Sequence, residues 1–183
     1  MGIRKPSSYS KMKVVPYTRT SKKKSKSYIK AVPPSKIVKF EIGNLADYRA
    51  GKYPFELTAV SLENAQIRNN ALEACRQYIN KKLDKDVAGQ YRFRVIPYPH
   101  HVQRENKMLT GAGADRMQTG MQLSFGKAIA KAALVKKNSP IFSISVGTQK
   151  GILMTREAFN QIRSKLPCKV RIDFVDHSKE QKA

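Results

Sequence analysis

Side chains capable of acid–base or metal chemistry gather in residues 97–127, where the adjacent His100 and His101 are followed by Glu105 and Asp115. Two imidazoles and two carboxylates could serve a metal site or an enzyme that acts on RNA. Adjacent residues of an extended chain point in opposite directions, and no third ligand follows the histidines at a useful spacing. The sequence therefore predicts no metal site, whereas an RNA-acting enzyme stays open as a rival interpretation.

Two glycine-containing stretches of the same segment match nucleotide-binding loops only in part. Gly111 and Gly113 resemble half of a dinucleotide fingerprint, but its third glycine is missing. Gly126 and Lys127 are followed by Ala128, where a phosphate loop needs Ser or Thr. We therefore predict no cofactor and no catalytic residue.

Cations dominate the chemistry of the chain. Among 183 residues, Lys and Arg number 36 against 13 Asp and Glu, a formal net charge of +23. This imbalance indicates a polyanionic partner, either nucleic acid or an anionic membrane surface. No apolar run is long enough to span a bilayer, and the N-terminus lacks the apolar core of a signal peptide, which predicts an intracellular protein.

Residues 1–34 are basic, contain no Asp or Glu, and are rich in Ser and Pro. Such a segment cannot bury enough apolar surface to fold alone, which predicts an extended arm that binds RNA phosphates. Tyr9, Tyr17 and Tyr28 could stack on bases. A solvated tail is the alternative. The predicted RNA-binding residues of the arm are Arg4, Lys5, Lys11, Lys13, Arg19, Lys22, Lys23, Lys24 and Lys26.

The pattern of the remaining chain predicts an α+β fold, a mostly antiparallel sheet with two helices packed on it. Its single domain covers residues 35–175, and a polar tail covers 176–183. One helix, over about 63–83 with Ser61 as its cap, follows from apolar residues at every fourth position from Ile67. A shorter helix begins at Thr155. Alternating apolar residues predict strands at 38–42, 57–62, 91–95, 129–135, 142–146 and 170–174.

Four arginines of these elements are further candidate RNA ligands. Arg68 and Arg76 fall off the apolar stripe of the long helix, and Arg92 and Arg94 alternate with apolar residues on a strand. Both pairs should face outward, where they could hold phosphates; for the strand pair a solvated face is an equally good interpretation. Cys75 and Cys168 lie far apart and are predicted to be small buried core residues.

Residues 97–127 follow no periodicity, which predicts a long functional loop. Its histidines, cations and amides offer hydrogen-bond donors for phosphates and base edges. These residues are His100, His101, Arg104, Asn106, Lys107 and Arg116.

Several long contiguous motifs resemble one family, the large-subunit ribosomal protein ten of archaea and eukaryotes, counterpart of the bacterial large-subunit ribosomal protein sixteen. The motifs are Tyr91-Arg-Phe-Arg-Val-Ile96, Pro97-Tyr-Pro-His-His-Val102, Arg104-Glu-Asn-Lys-Met108, Gly111-Ala-Gly-Ala-Asp-Arg116 and Ser124-Phe-Gly-Lys127. The likeness extends over nearly the whole chain.

The resemblance implies a structural constituent of the large ribosomal subunit that binds large-subunit rRNA and has no catalytic activity. The long loop would lie near the A-site tRNA and the peptidyl transferase centre, and the fold would be a hammerhead-like layer. The implied partners are rRNA, A-site tRNA and other large-subunit proteins, on cytoplasmic ribosomes. We expect neither a membrane nor a homo-oligomer. A free-standing RNA-binding module stays open as a second rival.

Overall fold

Strands and helices alternate along residues 29–105 and 126–177, the part of the chain that the computed structural model describes. The strands are β1 (Glu41–Gly43), β2 (Phe55–Ser61), β3 (Ala65–Arg68), β4 (Tyr91–Val95), β5 (His101–Glu105), β6 (Lys127–Val135), β7 (Pro140–Val146) and β8 (Val170–Asp176). The helices are α1 (Leu45–Arg49), α2 (Asn69–Val87) and α3 (Gln149–Ile162), and a 3-10 turn (Arg163–Lys165) follows α3.

The strands form two antiparallel sheets. Five strands pair in the order β1-β4-β7-β2-β8, and three pair in the order β3-β6-β5. The α+β class and the antiparallel pairing were predicted correctly. The prediction of one sheet with two helices was too simple, since β3, β5 and β6 form a sheet of their own and α1 is a third, short helix. The boundaries predicted for the arm and the tail stay predictions.

The core lies between the five-stranded sheet and the helices α2 and α3. Alternation along β4 directs Tyr91, Phe93 and Val95 to the helix side, where each is almost completely buried. The Phe93 and Phe142 rings, from neighbouring strands, lie 5.9 Å apart. Apolar residues of α2 at helical spacing, including Leu72 and Ile79, fill the facing side. This core holds the strands that carry the candidate RNA-binding residues.

Cys75 and Cys168 belong to this core, as predicted. Burial raises the pKa of the Cys75 thiol to about 12 and also raises the pKa of the Cys168 thiol. Both side chains therefore behave as small apolar groups.

The start of α2 differs from its prediction. Ser61 ends β2 instead of capping a helix, and α2 begins at Asn69, after Arg68, whose side chain makes no cap hydrogen bond. Residues Ala65–Arg68 form β3 because they pair with β6, with Ile67 opposite Ala133. Ile67 is a core residue that belongs to a strand. The helix was predicted to include it because its distance along the sequence from Cys75 and Ile79 fits the apolar face of a helix.

The start of α3 also differs. Thr155 lies completely buried in the middle of the helix, and the cap is Thr148, whose side-chain oxygen accepts a hydrogen bond from the Gly151 amide at 3.2 Å. The predicted strand at 38–42 is shorter as well. Val38 is 74% exposed, and the buried residue of this segment is Ile37.

Candidate nucleic-acid interface

Arg92 does not face outward. It points away from α2 and α3, but only 10% of its side chain is exposed. One guanidinium nitrogen donates to Glu41 Oε1 at 2.8 Å, and the guanidinium carbon lies 4.0 Å from the centre of the Tyr48 ring. The outward orientation predicted for Arg92 was therefore wrong, because Glu41 of β1 and Tyr48 of α1 cover and pair this position. Phosphate binding by Arg92 stays a prediction.

Arg94, two residues further along β4, has an exposed side chain. Its Nε lies 3.4 Å from the same Glu41 carboxylate, and 53% of the side chain is accessible. One carboxylate thus serves two arginines. Arg94 is the member of the pair whose guanidinium can reach a phosphate.

Arg76 of α2 is likewise paired within the protein. It donates from Nε to Glu73 Oε2 at 2.7 Å and from Nη2 to Glu73 Oε1 at 2.5 Å. The Gln77 amide donates to the same carboxylate, and 12% of the Arg76 side chain is exposed. The hydrogen bond from Arg76 holds the pKa of Glu73 below its usual value. The outward orientation predicted for Arg76 was wrong, whereas Arg68, at the end of β3, is half-buried.

The sheet face opposite the helices carries paired charges rather than a uniform cationic surface. Glu56 accepts a hydrogen bond from the Ser143 hydroxyl, and its other oxygen lies 3.3 Å from His177 Nε2. Near the sheet edge, Arg171 Nε donates to Asp173 Oδ1 at 2.7 Å. Phosphate binding by this face as a whole is therefore not favoured.

The two adjacent histidines have different environments. His100 is exposed, whereas His101 is the first residue of β5 and is buried. Among the described residues, no group of three or more His, Cys, Asp or Glu side chains could hold a metal ion. The alternation of an extended chain thus separates the two imidazoles.

β5 and β6 form a hairpin, which corrects part of the prediction for residues 97–127. The first half of the predicted loop contains β5, and Glu105 pairs with Lys127 at the end of the hairpin where the connecting segment begins. Arg104 lies opposite Ala128 and is half-buried. Three predicted site residues, Asn106, Lys107 and Arg116, lie outside the described residues, as do the nine cations of the arm.

Gln66 and Gln103 link the outer strands of this small sheet. Gln103 Nε2 donates to Gln66 Oε1 at 3.2 Å, and both side chains are buried. On β6, the strand between them, Gln66 lies opposite Leu134 and Gln103 opposite Ala130. The bond fixes β5 relative to β3 and therefore positions the base of the hairpin.

Sequence reasoning missed a group of exposed lysines that we call the basic corner: Lys136, Lys137 and Lys169. The backbone N–H of Lys137 donates to Asn64 Oδ1 at 2.8 Å, and the N–H of Leu62 donates to the Lys169 carbonyl at 2.9 Å. The short loop between β2 and β3 thus forms hydrogen bonds both to the β6–β7 turn and to the segment before β8. The consecutive lysines between two predicted strands were the available signal, but the position of Lys169 depends on the tertiary fold.

A family model described as Ribosomal protein L16p/L10e matches residues 13–173. The chain belongs to this family. The match begins inside the basic arm and includes the segment between β5 and β6, so it is not limited to the packed core.

Relatives of this L16p/L10e chain support the assignment over most of their length. A protein of Sulfolobus acidocaldarius is 39% identical over 185 residues, covering 100% of this chain and 99% of its own. A protein of Methanococcus aeolicus is 40% identical over 174 residues, 94% of each chain. One of Methanoculleus marisnigri is 44% identical over 149 residues, 80% of this chain and 82% of its own. All three are named large ribosomal subunit protein uL16.

Membership of the L16p/L10e family confirms that the chain is a ribosomal protein, structural rather than catalytic, and part of the cytoplasmic ribosome. The recognition made from the motifs was therefore correct. Within residues 29–105 and 126–177, no helix is both long and apolar enough to cross a bilayer.

Proposed function

We propose that this protein is a structural constituent of the large ribosomal subunit that binds large-subunit rRNA and helps to shape the A-site tRNA region near the peptidyl transferase centre. The observation that carries the proposal is the match along the full chain to relatives named large ribosomal subunit protein uL16. The net charge of +23 supports it, because rRNA is the polyanion that such a surface would neutralise.

The arm supplies much of the affinity. Each Lys or Arg that neutralises a phosphate releases condensed counterions, so the slope of log K against log salt changes by about 0.7 to 0.9 per contact. The nine arm cations from Arg4 to Lys26 occur without a single acidic neighbour to compete for them. The arm therefore threads between rRNA segments and binds their phosphates.

The folded domain sets the register of the protein on rRNA. Arg94, Arg68 and the basic corner contact phosphates from rigid elements, which fixes orientation more than it adds affinity. Arg76 and Arg92 support this surface from below, since each is paired with a carboxylate of the protein.

The β5–β6 hairpin positions the segment that approaches tRNA. Residues 106–125 leave β5 next to the point where β6 begins, because Glu105 and Lys127 pair. Asn106, Lys107 and Arg116 belong to this segment, and His100, His101 and Arg104 lie at its base. These residues lie near A-site tRNA and the peptidyl transferase centre, and other large-subunit proteins surround a single copy of the chain.

Sucrose-gradient fractionation tests this function. Ribosomes are washed in high salt, separated, and probed for the chain. We expect it to stay in the large-subunit peak, because many phosphate contacts and an embedded arm resist a salt wash. Release to the top of the gradient at modest salt would contradict the proposal and would favour a free-standing RNA-binding factor.

A further inference from the structure

Exposed apolar side chains gather beside the end of β4. Val38 is 74% exposed, Ile96 37% and Tyr98 60%. The N–H of Val95 donates to the carbonyl of Phe40 at 2.8 Å, which brings the chain before β1 next to the chain after β4. Single exposed apolar residues are ordinary on protein surfaces, but a group of them marks a binding surface.

Two stacked aromatic rings form the centre of this surface. The Phe40 and Tyr98 rings have centroids 5.4 Å apart and an angle of 23° between their planes. Phe40 is partly buried and packs against the core, whereas Tyr98 lies outside it. Pro97 and Pro99 flank Tyr98 and restrict its backbone. The tyrosine ring is thus supported on one side by Phe40 and is accessible to a partner.

Cations lie near the aromatic pair along the chain and on the neighbouring strand. Lys36 and Lys39 are exposed on the chain leading to Phe40, and Arg94 projects from the adjacent strand. The neighbouring acid, Glu41, is paired with Arg92 and Arg94. Arg94 lies on the face of β4 opposite to Phe93, so these cations line the edge of the sheet next to the rings and suit a polyanion that follows that edge.

This combination favours RNA over an apolar protein surface as the partner. Proteins that bind single-stranded nucleic acid stack unpaired bases on exposed aromatic rings and hold the backbone with nearby cations. A protein partner would use the apolar area but would gain little from three lysine and arginine side chains around it.

We propose that Tyr98, supported by Phe40, stacks on an unpaired RNA base while Lys39 and Arg94 bind the phosphates beside that base. The inference rests on the proposed function, since it takes RNA as the partner, and it adds a site for a single-stranded nucleotide. The ring plane is the recognition element, and the tyrosine hydroxyl is dispensable.

The test compares three variants of the full-length protein, Tyr98→Phe, Tyr98→Leu and Tyr98→Ala. Their binding to an oligoadenylate of about ten nucleotides and to a duplex of equal length is measured at raised salt, where stacking outweighs charge. We expect Tyr98→Leu and Tyr98→Ala to bind the single strand about tenfold more weakly, and Tyr98→Phe to bind it like the wild type. Duplex binding should be the same for all four proteins.

A spectroscopic measurement reports stacking directly. The chain contains no Trp, so Tyr98→Trp introduces a single indole at the site. We expect the single strand to quench its fluorescence and the duplex to leave it unchanged. Melting curves of each variant establish folding, which should persist because Tyr98 is 60% exposed.

Three results would overturn the stacking site, and they differ in what they say of the proposed function. If Tyr98→Ala binds the single strand like the wild type while all proteins bind rRNA, only the stacking site fails. If Tyr98→Leu binds the single strand like Tyr98→Phe, an apolar side chain suffices and the stacking of a base on the ring is refuted. If the wild type binds neither oligonucleotide nor large-subunit rRNA, the proposed function fails with it.

Discussion

Arg92 and Arg94 lie two residues apart on one strand, yet they differ in what they can bind. Arg92 is enclosed by Glu41 and Tyr48, whereas Arg94 reaches the surface. A buried guanidinium without its carboxylate is costly, since neither water nor another anion replaces the lost partner. The Arg92–Glu41 pair therefore joins β1 to β4 and supports the surface around Arg94.

Substitution of Glu41 tests this structural role. We expect Glu41→Gln to destabilise the protein by about 1–2 kcal/mol, less than for a fully buried pair because Glu41 is partly exposed. Urea denaturation of the full chain measures the change. The control Asp173→Asn removes an exposed carboxylate that also pairs with an arginine, and its midpoint should stay unchanged. Equal midpoints for both variants would refute the structural importance of the Arg92 pair.

Tyr91 gives the protein a predicted pH dependence on the alkaline side. Its hydroxyl donates to Asp84 of α2 at 2.5 Å, and burial, followed by this hydrogen bond, raises the pKa of Tyr91. A raised pKa in the folded state stabilises the fold fully below the unfolded value of about 10. That contribution decreases as the pH rises above this value, because the unfolded chain ionises more readily.

Tyr91→Phe should therefore change stability in two ways. Near pH 7 the variant should lose about 1–2 kcal/mol through the missing hydrogen bond. Above about pH 10 its stability should fall less steeply than that of the wild type. Denaturation curves at several pH values measure both effects, and Tyr98→Phe, which removes an exposed hydroxyl, is the control. Parallel curves for Tyr91→Phe and the wild type would contradict the assignment.

At the scale of elements, local pattern predicted most strands but missed β3 and β5 and misplaced both helix starts. The alternation of β4, β7 and β8 places aromatic and aliphatic residues on one face, so period two identified them. Ile67 lies in β3, yet its spacing from Cys75 and Ile79 is the one that a helix would give. Only its pairing with Ala133, more than sixty positions away, distinguishes the two structures. Contacts of that kind cannot be derived from periodicity.

The candidate site shows the same limit. Composition predicted a basic arm and the missing periodicity predicted a loop at residues 97–127, where the structure has β5. Burial decided which arginines of the folded domain are accessible. Arg76 and Arg92 have carboxylate partners, of which Glu41 is distant in sequence. The basic corner was missed because Lys169 and Lys137 are distant in sequence. They are brought to the same place only by hydrogen bonds between each of them and the loop between β2 and β3.

The basic corner makes a prediction about salt dependence. Replacing Lys136, Lys137 and Lys169 by Ala should weaken binding to large-subunit rRNA and reduce the magnitude of the salt slope by about two to three, since each phosphate contact contributes about 0.7 to 0.9. Filter binding over a range of salt concentrations measures the slope. The control triple variant removes the same charge from exposed positions of α2 and α3 (Lys81, Lys85 and Lys150) and should change the slope less. Identical slopes for the two triple variants would show that net charge, not the corner, matters.

At the scale of the whole molecule, we propose that RNA binding and fold stability depend on different parts of the chain. The described domain uses many of its charges in internal pairs, including those of Arg76, Arg92 and Arg171. The arm contains no Asp or Glu, and the segment after Glu105 adds Lys107 and Arg116. We propose that the domain acts as a support for these two segments when they bind RNA.

The β5–β6 hairpin allows the separation of RNA binding from fold stability to be tested by a deletion that leaves the fold intact. Deletion of residues 107–125 leaves Asn106 and Gly126 between Glu105 and Lys127, which pair in the protein. Asn-Gly is the favoured two-residue turn between antiparallel strands, so β5 and β6 can stay joined. We expect a melting temperature close to that of the wild type, because the strands and the Gln66–Gln103 bond remain.

The same deletion should impair the ribosome, since it removes the segment proposed to approach A-site tRNA. Subunits carrying only the shortened protein should accumulate as immature particles or translate slowly, as measured by gradient profiles and peptide synthesis. A companion variant, Lys107→Ala with Arg116→Ala, keeps the segment and removes its two cations, which separates charge from length. Normal maturation and translation with the deletion would show that the segment is dispensable and that the protein acts through its arm and folded domain alone.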